Sequence, residues 1–166
     1  MTIQTLFGQE EVARKPRTIK FRIIKPVFET LQVQEDVTRY ISPKERYTSP
    51  QQVFDTFYFL NHETKEYFMG LHLDGKNRIV AIEVISIGSL NQSIVHPREV
   101  FKTALLSSAA AIILLHNHPT GDPTPSREDI EITRRLKEAG ELLGVKVLDH
   151  IIVGETYVSF VERGLL

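Results

Sequence analysis

The 166-residue chain contains no cysteine. It can build no disulfide framework and no closed thiolate zinc site, and the absence suits a cytoplasmic location. An excess of either charge is also missing: 20 Lys and Arg stand against 21 Asp and Glu, for a formal net charge of −1. That balance gives no global basic field to hold nucleic acid. Long hydrophobic runs are absent too. The longest, Ala109 to Leu115, falls far short of the ~20 apolar residues a membrane helix requires. Met1 to Gly8 lacks the basic and apolar blocks of a secretory signal. There is no HExxH pair, no internal repeat and no low-complexity segment. The remaining composition, 42% hydrophobic and 25% charged, excludes wholesale disorder. The length fits one domain with a sizeable core and an extra arm.

Three regions follow from the pattern. Residues 1–16 are polar and aperiodic, which predicts a flexible arm. Residues 17–48 read as a strand-rich extension: Thr18 to Lys25 alternates apolar and charged side chains, Pro26 limits that strand, and a second is expected between Phe28 and Ile41. A sheet edge left open there could recruit a partner's strand. The main domain is expected over 49–166. It begins at Ser49-Pro50, an N-cap and N1 pair, with Val53, Phe54, Phe57 and Leu60 at helical spacing. Tyr67 to Leu73 and Ile79 to Ile87 are apolar strands around the turn composition Asp74-Gly75-Lys76-Asn77.

The second half alternates further. Pro97 to Ser107 predicts a helix buried along Val100, Phe101, Ala104 and Leu105, with His96 either its cap or a group supporting the site. A buried strand from Ala110 follows. Arg127 to Leu143 predicts the longest helix, facing inward along Ile130, Thr133, Leu136, Lys137 and Gly140 and stopped by Gly144. The pairs Glu131–Arg135, Arg134–Glu138 and Lys137–Glu141 would line its solvated side. Two strands, Val145 to Val153 and Tyr157 to Val161, close the chain. The expected class is α/β (α+β): a mixed β-sheet flanked by helices.

The stretch from His116 to Asp129, His-Asn-His-Pro-Thr-Gly-Asp-Pro-Thr-Pro-Ser-Arg-Glu-Asp, joins the buried strand to that helix. If the strand runs on through His118, the two histidines share a face with Cα atoms about 6–7 Å apart. Their rings could then meet on one ion, with Asp129 adding an oxygen. Three protein ligands and an open fourth position describe a catalytic zinc site. A blander reading competes. Ser126-Arg-Glu-Asp129 is also a capping box, Asp122 is a rival loop carboxylate, and the histidines could be ordinary polar residues leaving the core.

His116-x-His118-Pro119, six residues, then Ser126-x-x-Asp129 resembles the motif of the JAMM (MPN+) metalloproteases. The full stretch, with Ser93 to Phe101, Ala139 to Gly144 and Leu148 to Gly154, is closer still to the bacterial RadC-like branch. The resemblance runs from about Glu66 to the C-terminus. It implies a cytidine-deaminase-like JAB/MPN fold and a zinc ion held by His116, His118 and Asp129. It further implies Glu66 as acid/base, Ser126 as oxyanion donor, and a peptide or isopeptide amide as substrate. Unaided by it, Glu63 and Glu83 rival Glu66 as the base. His150 would be a hydrogen-bonded structural imidazole near the site, while His62 and His72 have no partner that spacing can name.

Other functions fit less well. Longer RadC-like proteins carry a helix-hairpin-helix type region, and no segment here matches it. A DNA-repair factor or nuclease therefore gains nothing from the charge balance, and the adjacency of His116-Asn117-His118 is unlike the dispersed residues of HNH nucleases. Zinc deaminases need a Cys-x-x-Cys half-site or equivalent, which this chain cannot supply. A metal-binding interaction module without turnover remains the second alternative.

Overall fold

Every residue of the central strand, Ala111–Asn117, is buried. Its aliphatic run is satisfied only where layers cover both faces of the sheet. The computed structural model, which describes residues 45–88 and 95–166, provides those layers. In chain order, α1 (Pro50–Phe57) passes through a 3-10 turn (Tyr58–His62) to β1 (Tyr67–Leu73) and β2 (Ile79–Ile87). Then come α2 (Pro97–Leu106), β3 (Ala111–Asn117), α3 (Arg127–Leu143), β4 (Lys146–Val153) and β5 (Tyr157–Ser159). The sheet order is β2-β1-β3-β4-β5. Only β3 and β4 pair in parallel, joined through α3; the other neighbours are antiparallel. This is the expected mixed sheet flanked by helices, an α+β arrangement consistent with the JAB/MPN fold.

Alternation along β3 divides the core. Ala111, Ile113 and Leu115 pack with Val53, Phe57 and Leu60 on the α1 side. Ile112 and Leu114 pack with Phe101 and Ala104 of α2 and with Ile132 and Leu136 of α3. His116 continues this second face and so points beneath α3. Each fully buried leucine contributes roughly 1.5–3 kcal/mol, so the strand that carries His116 is firmly anchored in the core.

The helix ends follow local chemistry. Ser49 caps α1 in a capping box with Gln52, and His96 caps α2 by accepting the Arg98 N–H at 3.3 Å. Gly144 ends α3 at φ 73°, a left-handed conformation that favours glycine. Between β1 and β2, Asp74 Oδ1 accepts the backbone N–H groups of Lys76 and Arg78.

Several expectations shift by a residue or two. β3 stops at Asn117 instead of running through His118, although the His118 N–H still donates to the Val153 carbonyl at 2.9 Å. Pro119, lacking an N–H, can carry the ladder no further. β5 ends at Ser159, so Val161 falls in a turn. Leu105 is exposed, as is Ile130; α3 instead buries Asp129, Ile132, Thr133, Leu136 and Gly140. A buried carboxylate at Asp129 displaces the inward face from the one that apolar residues alone suggest. Of the expected surface pairs, Arg134–Glu138 forms at 2.7 Å, and Arg134 also reaches Glu131 at 2.7 Å. The arm at 1–16 and the strands expected up to residue 44 lie outside the described residues. Within 45–48, Tyr47 is buried and its N–H donates to the Asn77 carbonyl at 2.9 Å.

Candidate metal centre

His116 ends a buried strand face, His118 opens the loop beyond it, and Asp129 lies in the first turn of α3. Their ligating atoms all lie within 4.8 Å of one another. The two Nε2 atoms are 3.0 Å apart. Asp129 Oδ1 is 3.4 Å from His116 Nε2, and its Oδ2 is 3.5 Å from His118 Nε2.

The hydrogen-bond network determines where the protons sit. A backbone carbonyl can only accept. Thr133 Oγ1 therefore donates to the Asp129 carbonyl at 2.6 Å, and its oxygen is left to accept from His150 Nδ1–H at 2.6 Å. The His150 Nε2 lone pair then accepts from His116 Nδ1–H at 2.7 Å. His116 Nε2 is thus left unprotonated. On the other side, His118 Nδ1 lies 2.7 Å from the Asp122 carbonyl and must donate to it, so that in the neutral ring the His118 lone pair is the one on Nε2. With both rings neutral, two nitrogen lone pairs and a carboxylate lie within 4.8 Å of one another, a cluster that a proton or a metal ion satisfies. The donor set fits zinc, for which imidazole and carboxylate are ordinary ligands and outer hydrogen bonds orient the rings.

Titration behaviour follows the same logic. Burial pushes His116 down to about 4, only partly countered by Asp129. His118 is raised, chiefly through its hydrogen bond to Asp129, with added pull from the Asp122 carbonyl and the charge of Glu66. Burial alone would raise Asp129, but His118, His116 and Ser126 outweigh it and hold the carboxyl well below the usual range. Burial drives His150 well below the ordinary histidine value. It is a neutral spacer. Phe68 stacks on His116 at 5.9 Å and meets His150 edge-on at 5.4 Å, while Phe160 covers His150 at 4.7 Å.

The rival readings of the loop resolve atom by atom. Ser126 does cap α3: its Oγ accepts the Asp129 N–H at 3.1 Å, and Asp129 Oδ2 takes the Ser126 N–H at 2.7 Å. Asp129 is cap and ligand candidate together because its Oδ1 still faces His116. Ser126 Oγ–H donates to Asp129 Oδ2 at 2.7 Å. Capping thus uses the oxygen lone pair, and the hydroxyl proton is a separate resource. Asp122 spends its side chain on Thr124, accepting its N–H and hydroxyl at 2.9 and 2.7 Å, and contributes only its carbonyl to the site. The loop leans on the β4–β5 turn, where Glu155 N–H donates to the Gly121 carbonyl. A Cβ at Gly154 would come within 2.3 Å of that carbonyl oxygen, so only glycine fits.

Glu66, half-buried just before β1, is the glutamate whose charge acts on His118. Glu83, the alternative base, sits elsewhere: its carboxylate accepts the Thr103 hydroxyl and lies 4.0 Å from His72. Spacing placed Thr133 on the inward face of the long helix but gave neither it nor Asn117 a part in the site, and it had no role for His150 beyond a structural one. The one available signal was an inward-facing threonine at helical spacing from Asp129.

The fold and site define a mixed-sheet domain with three residues that could hold a metal ion at the end of its central strand. The RadC-like JAB domain family matches residues 47–165, and the chain belongs to that family. It is 69% identical over 125 residues to a UPF0758 protein of Geotalea uraniireducens, covering 74% of this chain and 54% of that protein. It is 65% identical over 130 residues to a UPF0758 protein of Pelobacter propionicus, covering 77% and 57%. A UPF0758 protein of Methanosarcina mazei is 54% identical over 126 residues, covering 75% and 55%. The chain spans about half the length of these curated relatives. Among the described residues, no helix is long and apolar enough to cross a membrane.

Proposed function

We propose that the domain is a zinc-dependent amide hydrolase of the JAMM type, acting on a peptide or isopeptide bond of a protein substrate. The observation that carries this reading is the convergence of His116 Nε2, His118 Nε2 and the Asp129 carboxylate, with the charge of Glu66 acting on His118. His116, His118 and Asp129 would hold the zinc. When bound, zinc makes water a nucleophile near neutral pH and polarises the carbonyl to be attacked. Glu66 takes the proton from the attacking water and returns it to the leaving amine, work that requires a carboxylate within hydrogen-bond reach. Ser126 turns its hydroxyl proton from Asp129 Oδ2 to the developing oxyanion while its lone pair continues to cap α3.

Metal analysis of the purified protein beside His118→Ala and Asp129→Ala tests the centre. One zinc in the wild type, lost in both variants, supports it, and peptide libraries can then be screened with Glu66→Ala as control. Cleavage by the wild type and not by Glu66→Ala supports the hydrolase. No zinc after reconstitution overturns it, and zinc without cleavage leaves a metal-binding module. For Ser126→Ala, a fall in turnover with little loss of stability marks the oxyanion role. A loss of about 1 kcal/mol with turnover intact marks a cap alone.

A further inference from the structure

Asn117 stands between the two histidine ligands, is fully buried, and does not face the metal centre. Strand alternation turns it away from the face that carries His116. Its side chain reaches across to β1. Pairing of β1 with β3 begins at Phe68 opposite His116. One residue earlier the Asn117 carboxamide takes over. Its Oδ1 accepts the Tyr67 N–H at 2.7 Å, and its Nδ2 donates to the Lys65 carbonyl at 3.0 Å. These are the backbone groups on either side of Glu66. The Glu66 carbonyl itself accepts the Gly88 N–H from the end of β2 at 2.8 Å.

We propose that Asn117 is a positioning residue that holds Glu66 in register with the cation centre, an inference that rests on the reading of Glu66 as proton carrier. A carboxamide presents one acceptor and one donor side by side, as a peptide group does, so it can continue a strand ladder where the backbone has turned away. Alanine supplies neither group. Serine supplies a single oxygen, and glutamine is one methylene too long for the same span. Because Asn117 is covalently flanked by ligands, the strand that places His116 and the loop residue His118 also places the backbone of Glu66, 50 residues earlier. A carboxylate that must meet a proton within hydrogen-bond reach tolerates little displacement; a shift of about 1 Å lowers catalysis on the order of 10²-fold.

The test uses the full chain as wild type, Asn117→Ala, Asn117→Ser and Glu66→Gln. Zinc affinity, amide exchange at Tyr67, and the carboxyl-carbon NMR signal of Glu66 before and after zinc are recorded. Asn117→Ala is expected to bind one zinc with affinity changed by less than the roughly 10-fold that marks loss of a ligand's hydrogen-bond partner. Its Tyr67 amide should exchange faster, and the zinc-induced shift of the Glu66 signal should be lost. On any peptide that the wild type cleaves, turnover should fall to the Glu66→Gln level, and the double variant should be no slower. Asn117→Ser, which keeps an acceptor for Tyr67, should fall between, and it serves if the alanine variant does not fold. A Glu66 signal that still responds to zinc in both Asn117 variants overturns the proposal. So does zinc affinity that collapses with the substitution, since that assigns Asn117 to the ligands. If the wild type takes up no zinc, the hydrolase reading fails separately. Unchanged Tyr67 exchange in Asn117→Ala then overturns the clamp itself.

Discussion

Two buried histidines on the same face of the sheet, His116 and His72, meet opposite circumstances. Both donate through Nδ1 to a neighbour. His116 donates to His150, and His72 donates to Ser107 Oγ at 2.9 Å because Ser107 itself donates to the Ala104 carbonyl. Both therefore present an unprotonated Nε2. At His116 that lone pair joins a second imidazole and a carboxylate. At His72 it has no hydrogen-bond partner and faces one carboxylate, Glu83, at 4.0 Å. Burial lowers His72 and raises Glu83, so each is driven toward neutrality. A buried histidine beside an acid is common ground for both places. What separates a cluster that could hold a cation from a lone histidine–carboxylate pair is a third ligand atom together with an outer hydrogen-bond network that orients the rings.

The sharpest way to break that comparison is to remove one ligand. His116→Ala should reduce zinc affinity on the order of 10²-fold, one of three ligands' share of a binding free energy of ~10 kcal/mol. His72→Ala should leave the zinc stoichiometry unchanged. Isothermal titration of both variants decides the matter, and zinc lost from the His72 variant would erase the distinction. Next in size is the outer network. Thr133→Val removes the acceptor for His150 Nδ1–H and frees the tautomer of His116, with an expected 10–100-fold loss of zinc affinity. A Thr133→Val protein with wild-type affinity would show that proton placement is immaterial.

The pair at His72 is best probed by pH. A histidine with a depressed folded pKa favours the fold while neutral. Its contribution is complete above the unfolded value near 6.5 and is lost as pH falls through that value toward the folded one. Glu83, which faces His72 from β2 and accepts from Thr103 of α2, works with the opposite sign from its ordinary carboxylate range upward, since its folded pKa is raised. His72→Gln should therefore flatten the fall in melting temperature between pH 6.5 and 5, most clearly in a Glu83→Gln background. An identical slope in both histidine and glutamine forms would refute the assignment. Smaller again, Gly144→Ala places a Cβ at φ 73° and should lower stability by about 1 kcal/mol in denaturant titration. Arg134→Ala, which removes two exposed pairs, should leave it nearly unchanged, because solvent screens such pairs.

Much of this architecture was legible before any coordinates. Helix and strand periodicities located the helices and strands of the main domain to within about two residues, because burial on one face imposes a period that local sequence records. The spacing His116-x-His118 and the cap at Ser126 marked the candidate ligands, since a strand end and a helix start aim their side chains predictably. At α3 periodicity placed Thr133, Leu136 and Gly140 inward correctly but missed Asp129 and Ile132 and turned Ile130 inward, where the structure exposes it.

Sequence alone determined the element order and which residues have the chemistry to hold a cation. Tertiary structure decided which glutamate's charge reaches His118, how each ring is hydrogen-bonded, and how the two oxygens of Asp129 are shared between the helix cap and the histidines. These last facts depend on contacts between residues far apart in the chain: His116 with His150, Asn117 with Lys65 and Tyr67, Thr133 with His150. No local period encodes such pairings. They arise because buried polar groups must be satisfied where the packed sheet happens to bring them together.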